Sequence, residues 1–158
     1  MTASLPQLLA TEPAETILAA LGSALERSGE SPLWAEKLPP LARAQLSVLI
    51  PLRDRGLLFD PEGVPQERLT PELWLRWCDL MSLRHLAFTL ARSNRSGRLE
   101  GTRHTPQEAA RYLRLDLELL EAYLAGYRVD LRNEYADFPV VHYNFHTGLS
   151  GVLKGLLA

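Results

Sequence analysis

Arginine dominates one window of the sequence, between Met81 and Leu115. The window holds seven arginines and two acidic residues, Glu100 and Glu108, so its net charge is +5 on a chain of formal net charge −2. A guanidinium group is planar, donates paired hydrogen bonds to phosphate and stacks on bases, which suits it to polyanions. The sequence therefore predicts a nucleic-acid-binding surface, with the candidate residues Arg84, Arg92, Arg95, Arg98, Arg103, Arg111 and Arg114.

The centre of this window, "ARSNRSGRLEGTRHT" from Ala91 to Thr105, combines arginine with serine, glycine and asparagine. Such a composition predicts a connecting loop whose backbone and hydroxyl groups adapt to a phosphate chain. The composition is compatible with two other interpretations. In the first, the loop is only a soluble connector; in the second, residues such as Arg84 and Arg111 pair with acidic residues of the same domain.

Two histidines, His142 and His146, have the spacing of metal ligands on one helical face. A third ligand would have to come from Glu134, Asp137 or His104, and no H-E-x-x-H pattern supplies a general base. We therefore expect no bound metal, and we interpret the two imidazoles as groups that satisfy polar atoms near a helix start.

No other arrangement of residues indicates an enzyme. Asp116, Glu118 and Glu121 come nearest to paired catalytic carboxylates, but Asp116 and Glu118 point to different faces of a helix, and such charged runs usually face solvent. The nucleotide-binding patterns GxxxxGK[ST] and GxGxxG are absent, as is the GxSxG pattern of serine hydrolases. We expect neither catalytic residues nor a cofactor.

Length and composition are those of an ordinary globular domain. With 158 residues, 46% of them hydrophobic, the chain is predicted to form one domain over 1–158. Cys78 is the single cysteine, which excludes an intramolecular disulfide, and we place it with Trp77 and Leu80 in the core. The sequence shows no signal peptide and no long apolar run, so we expect a soluble, cytoplasmic domain without membrane contact.

Helix-start signals recur along the chain, each a capping residue followed by proline at the first helical position. They occur at Ser31–Pro32, Thr70–Pro71 and Thr105–Pro106, and Glu108 completes a capping box with Thr105. No strand pattern recurs. We therefore predict an all-α fold, a compact bundle of about six or seven helices with an Arg-rich connecting loop.

Some boundaries are less regular. Pro39 and Pro40 should break the helix that starts at Pro32, and Pro51 should kink or shorten the next one. Single helices are expected over 70–93 and from Thr105 to Gly126. The pair Val140–Val141 is compatible with a short strand, although the residues that follow have helical apolar spacing.

Three stretches of the sequence share features with one family. They are "SPLWAEKLPPLARAQLSVLIPLRDRG" at 31–56, "LTPELWLRWCDLMSLRHLAFTL" at 69–90 and "HYNFHTGLSGVLKGLL" at 142–157. Together they resemble the all-α domain of type IV coupling proteins, the ATPases of conjugation and type IV secretion. Pro32, Leu33 and Trp34 match the P-[FL]-W motif of that family, and the remainder matches in apolar spacing.

The resemblance implies a helical insertion of a RecA-like motor domain that faces the cytoplasm. Its implied partners are DNA, single-stranded or relaxosome-bound, and secretion substrate proteins. Because the chain has no nucleotide-binding motif, it would be the excised insertion, which contacts the rest of a motor ATPase, or a stand-alone relative.

The sequence is compatible with three functions. The first is a module that binds DNA or a nucleoprotein complex for a conjugative type IV secretion system. The second is a protein-interaction adaptor in which the arginines meet an acidic partner and Trp34, Trp74 or Trp77 anchors the contact. The third is a small metal-dependent helical enzyme that uses His142 and His146.

Overall fold

The computed structural model describes residues 3–127 and 140–158, and the fold of these residues is all-α, as predicted. The described ranges contain eight helices rather than six or seven. They are α1 (Leu5–Thr11), α2 (Ala14–Ser28), α3 (Pro32–Asp54), α4 (Pro71–Arg76), α5 (Leu80–Ser96), α6 (Pro106–Ala109), α7 (Glu118–Ala125) and α8 (Val140–Leu157).

Side-chain caps start most of the shorter helices. Thr70 accepts a hydrogen bond from the Leu73 amide at the start of α4, and Thr105 and Glu108 form the predicted capping box of α6. Ser31 precedes α3 in an extended conformation but makes no side-chain capping bond. The sequence analysis missed α1, which a capping box at Ser4 initiates.

The expected break in α3 is wrong, because this helix continues through Pro39, Pro40 and Pro51. An interior proline disfavours a helix by roughly 3 kcal/mol. Burial of a large aliphatic side chain contributes about 1.5–3 kcal/mol. The ten buried residues of α3 outweigh the prolines; they are Leu38, Leu41, Ala42, Ala44, Gln45, Leu46, Val48, Leu49, Ile50 and Leu52.

Two helices that were predicted to be continuous are divided. Asp79 follows the turn after α4 and caps a new helix by accepting a hydrogen bond from the Ser82 amide, so α4 and α5 are separate helices. Residues 110–117 separate α6 from α7, which starts without a side-chain capping bond. The segment from Val140 onward is helical, not a strand.

The core is built around α3, which packs against α2, α7 and α8. Trp74, Trp77, Cys78 and Leu80 are fully buried, which confirms the predicted core positions. Gln45 of α3 joins this region by accepting a hydrogen bond from the Trp74 indole (2.7 Å) and donating one to the Trp77 carbonyl (2.9 Å). Within the described ranges, no helix is both long and apolar enough to cross a membrane.

Candidate polyanion-binding surface

The structure separates the seven predicted arginines by burial. Six of them are exposed, but Arg84 is only 1% exposed and its guanidinium contacts the Met81 sulfur at 3.2 Å. The sequence prediction is therefore wrong for Arg84, since a buried guanidinium does not face an external polyanion. Arg84 lies on the inward face of α5, where tertiary packing decides its role.

Arg92 and Arg95 lie on the last turns of α5, so the predicted loop from Ala91 to Thr105 begins six residues later than expected. The helix ends where Gly97 adopts a left-handed conformation with φ 77°. The helical stripe that buries Leu86 and Leu90 also extends to Ser93, which places the early part of the basic segment on a helix.

The loop after α5 is held in place by backbone hydrogen bonds. The Glu100 amide donates to Ser93 Oγ (2.9 Å), and the Leu99 amide donates to the Ala109 carbonyl (3.0 Å). The Arg103 amide donates to the Gly63 carbonyl (2.8 Å). These bonds fix the backbone at both ends of the loop, so its arginines are presented from a defined surface.

A second loop, residues 58–66, contacts the loop that follows α5. Its Asp60 carboxylate accepts hydrogen bonds from the Glu62 and Val64 amides (2.9 and 3.0 Å) and from Arg76 (2.9 Å). Burial acts to raise the pKa of Asp60, but these hydrogen bonds and the Arg76 charge lower it below its ordinary value. A charged Asp60 therefore holds Gly63 where Arg103 meets it.

Four of the exposed arginines form one group, which we name the arginine corner: Arg92, Arg95, Arg98 and Arg103. The four belong to the last turns of α5 and to the loop after it, and this loop approaches the helix, because a Cβ atom on Gly101 would lie 3.1 Å from Arg92 Nη2. None of the four forms an ion pair with a described residue. Arg53 and Arg76, by contrast, are paired with Asp54 and with Asp60 and Glu62.

The remaining two arginines lie outside this corner. Arg111 is near Gly56 and makes a 3.8 Å contact with Glu108. Arg114 lines a cavity of about 810 Å³ beside Asn94, together with three acidic residues, Asp116, Glu118 and Glu121. Asn94 and Arg92 are two positions apart on α5 and thus about 200° apart around its axis, which puts Arg114 on another side of the helix.

Two ring-bearing residues extend the arginine corner along α5. His85 is exposed, and Phe88 is partly exposed and lies outside the hydrophobic core cluster of the described residues. They precede Arg92 by seven and four positions, so the three side chains share one helical face. Phe88 was not among the predicted site residues, although the helix predicted over 70–93 already placed it on one face with His85 and Arg92.

Both ring nitrogens of His146, one of the two candidate metal ligands, already have protein partners. His146 is 2% exposed, and its Nδ1 lies 2.9 Å from the Cys78 carbonyl. Its Nε2 lies 2.9 Å from the Tyr123 hydroxyl and 3.0 Å from the Tyr127 hydroxyl. No group of three metal-binding side chains occurs among the residues that the structure describes, and Glu134 and Asp137 fall outside them.

Two of the three tryptophans that the adaptor hypothesis uses as anchors are closed to a partner protein. Trp74 and Trp77 are fully buried. Trp34 is partly buried and stacks on Phe145 of α8, with ring centroids 5.5 Å apart. Trp74 and Trp77 are therefore core residues, whereas Trp34 keeps part of its surface exposed.

Comparison of the chain with models of protein families, with curated proteins and with solved structures finds no match in any of the three.

Proposed function

We propose that this protein is a binding module for single-stranded nucleic acid, and that the arginine corner makes the principal contact. The observation that carries the proposal is that four arginines on the last turns of α5 and the loop after it are exposed, and that none of them forms an ion pair with a described carboxylate. Phosphate contacts from arginine and lysine provide most of the sequence-independent affinity for nucleic acid.

Two rings beside the arginine corner, those of His85 and Phe88, favour a single strand over a duplex. Proteins that bind single strands combine a basic path for the backbone with rings on which bases stack. His85 and Phe88 lie on the same face of α5 as Arg92, and Phe88 is partly exposed. In a duplex the bases are already stacked on each other, so these rings favour the unpaired strand.

The resemblance to type IV coupling proteins supplies the setting of the proposal. In that setting the module recruits DNA or a nucleoprotein substrate to a conjugative secretion motor. The resemblance rests on the sequence alone.

The test replaces the four residues of the arginine corner with alanine. Four phosphate contacts to a single strand account for a salt slope of about 3 on a log–log plot, from roughly 0.7 per contact. We expect the variant to lose most of its affinity for oligo(dT) and to show a salt slope smaller by about this amount. Its stability should change little, because exposed substitutions usually shift the free energy of unfolding by no more than about 0.5 kcal/mol.

A matched control removes the same charge elsewhere. Replacement of four other exposed cations, Arg27, Arg43, Arg68 and Lys154, with alanine changes the net charge equally. This control should bind oligo(dT) nearly as the wild type does. If both variants lost the same affinity for oligo(dT), net charge alone would explain the effect, and the arginine corner would not be the binding site. If the wild type did not bind oligo(dT) at low salt, the proposal would be refuted.

The stacking part of the proposal has its own test. Phe88→Leu should weaken binding of oligo(dT) about tenfold, because stacking on one aromatic ring contributes roughly 1–3 kcal/mol per base. Binding of heparin, a polyanion without bases, should not change, and Phe88→Tyr should retain affinity for oligo(dT). A loss that is equal for heparin and oligo(dT) would contradict the stacking role.

A further inference from the structure

A groove runs along the surface where α3 and α7 meet, on a part of the molecule that the proposed function does not use. It consists of two adjoining cavities of about 440 and 490 Å³. Both are lined by Pro40, Ala122 and Tyr123, so they form one continuous depression, which we name the α3–α7 groove. Cavities of about 300–1,000 Å³ are the usual size of small-molecule sites.

The walls of the groove are apolar. Pro39 and Pro40 lie side by side on α3, and their pyrrolidine rings have no N–H to donate. Leu119 of α7 lines the larger cavity and is 46% exposed, and Phe145 of α8 lines the smaller one. The groove therefore leaves apolar surface in water that a ligand could cover.

The polar atoms of the tyrosines in the groove are already used. The Cys78 carbonyl can only accept, so His146 Nδ1 carries the proton of the ring and Nε2 is an acceptor. The Tyr123 and Tyr127 hydroxyls lie 2.9 Å from each other and within 3.0 Å of Nε2. These three contacts use both hydroxyl protons, so neither tyrosine can donate a hydrogen bond to a ligand. The tyrosines therefore contribute the carbon atoms of their rings to the groove.

Each of the two cavities is lined by one cationic residue, and the acidic Glu36 also lines the larger cavity. Arg43 lines the larger cavity, is exposed and forms no ion pair with a described residue. Lys37 lines the smaller cavity, and its contact with Glu36 is long (3.9 Å) between side chains that are 49% and 75% exposed. Exposed pairs of this kind contribute little, so the Lys37 charge stays available to a ligand.

From these features we infer that the α3–α7 groove binds a small organic anion with an apolar body, of the class of aryl sulfonates and acyl carboxylates. The body lies on the prolines and the tyrosine rings, and the anionic group meets Arg43 or Lys37. The inference does not depend on nucleic-acid binding, because its residues lie on α3, α7 and α8 rather than on the arginine corner.

The test uses two fluorescent probes that share one ring system. 1-Anilinonaphthalene-8-sulfonate carries a sulfonate, and N-phenyl-1-naphthylamine is its uncharged analogue. We expect the natively folded protein to bind both probes saturably, with one site per chain. The double variant Lys37→Gln/Arg43→Gln should bind the sulfonate about tenfold more weakly, the effect of losing one charge-assisted contact, and should bind the neutral probe as before.

A filled groove provides the second arm. Ala122 is exposed and lies in the middle of the groove, so Ala122→Trp should abolish binding of both probes. Ala125→Trp, an exposed substitution on the same helix but outside the groove, should bind both as the wild type does. Arg27→Gln/Lys154→Gln is the control for the charge change.

Competition on the unmodified protein completes the test without any variant. Decanoate should displace the sulfonate probe, whereas decylammonium should not. The inference is overturned if the wild type shows no saturable binding, if the control variants lose as much affinity as the groove variants, or if decylammonium competes as well as decanoate.

Discussion

At the scale of single residues, His146 joins three parts of the chain that are far apart in sequence. His146 belongs to α8, and its Nδ1 donates a hydrogen bond to the Cys78 carbonyl in the turn between α4 and α5. Its Nε2 lies within hydrogen-bonding distance of the Tyr123 and Tyr127 hydroxyls, in α7 and just after it. A buried polar group that lacks partners costs free energy, so this set of bonds is specific to one arrangement of the three elements.

The stability of the protein should depend on pH through this ring. Burial lowers the pKa of His146 below its ordinary value of 6.5, against the opposing effects of the Cys78 carbonyl and Asp79, and His142 lowers it further. The unfolded chain therefore takes up a proton at a higher pH than the native state. The free energy of unfolding should fall as the pH decreases through about 6.5 and below, and His146→Gln should remove part of this slope.

Urea unfolding at pH 7.5 and 5.5 measures the effect. His104 provides the comparison, because burial also lowers its pKa. His104→Gln should therefore remove a separate part of the slope, and the double variant should remove both. An unchanged slope in His146→Gln would contradict the role of burial at this ring.

Cys78 should be unreactive and sensitive to substitution. Burial raises the pKa of its thiol to about 11, although a hydrogen bond donated by Gln45 acts in the opposite direction. Native protein should react with a thiol reagent far more slowly than unfolded protein, because the thiolate is the nucleophile. Cys78→Ser should cost about 1–3 kcal/mol of stability, measured by urea unfolding, through burial of a hydroxyl.

At the scale of elements, the two loops around the arginine corner depend on close approach of their backbones. Gly63 has φ 82°, and a Cβ atom at this position would lie 3.2 Å from the Gly101 carbonyl oxygen. The approach allows the Arg103 amide to bond the Gly63 carbonyl. Local backbone geometry therefore decides where the Arg103 side chain is presented.

Gly63→Ala should cost more stability than Gly97→Ala. Both glycines are left-handed, a conformation that costs an ordinary residue roughly 1–2 kcal/mol, but a Cβ atom on Gly97 meets nothing within 4 Å. Gly97→Ala should show the conformational cost alone. Gly63→Ala adds a steric conflict with Gly101 and should also weaken oligo(dT) binding, and equal unfolding free energies for the two variants would contradict this account.

At the scale of the whole molecule, one hydrophobic cluster extends from Leu5 in α1 to Leu157 in α8. We therefore expect all described helices to unfold together. Urea unfolding followed by tryptophan fluorescence and by far-ultraviolet circular dichroism should give coincident transitions. Two separated transitions would instead divide the chain into independent units.

Charge is also distributed over the whole molecule. The window from Met81 to Leu115 carries +5, so the rest of the chain carries −2 minus 5, or −7. In the folded protein, the arginine corner of this window combines exposed arginines with no ion pair to a described residue, and a surface of this kind attracts a polyanion and makes the association rate depend on salt. The arginine corner should accordingly control the association rate more than the dissociation rate.

The sequence by itself determined the features that local chemistry specifies. Thr70 and Thr105 start helices because a side-chain oxygen beside a proline-led helix satisfies a free amide wherever it occurs. The all-α class and the core positions of Trp77, Cys78 and Leu80 likewise followed from apolar spacing. The window of positive charge was readable for the same reason, since charge depends on composition alone.

Only the tertiary structure decided which of these groups face water and which elements continue. Burial of ten side chains carried α3 through Pro39 and Pro40, where local rules predicted a break, and onward through Pro51. Packing placed Arg84 inside and divided the remaining arginines between the corner, Glu108 and an acidic cavity. It also brought His146 to Cys78 across 68 positions of sequence, a distance over which no local pattern acts. Long-range burial free energy exceeds local preference at such sites, so residue spacing alone did not predict them.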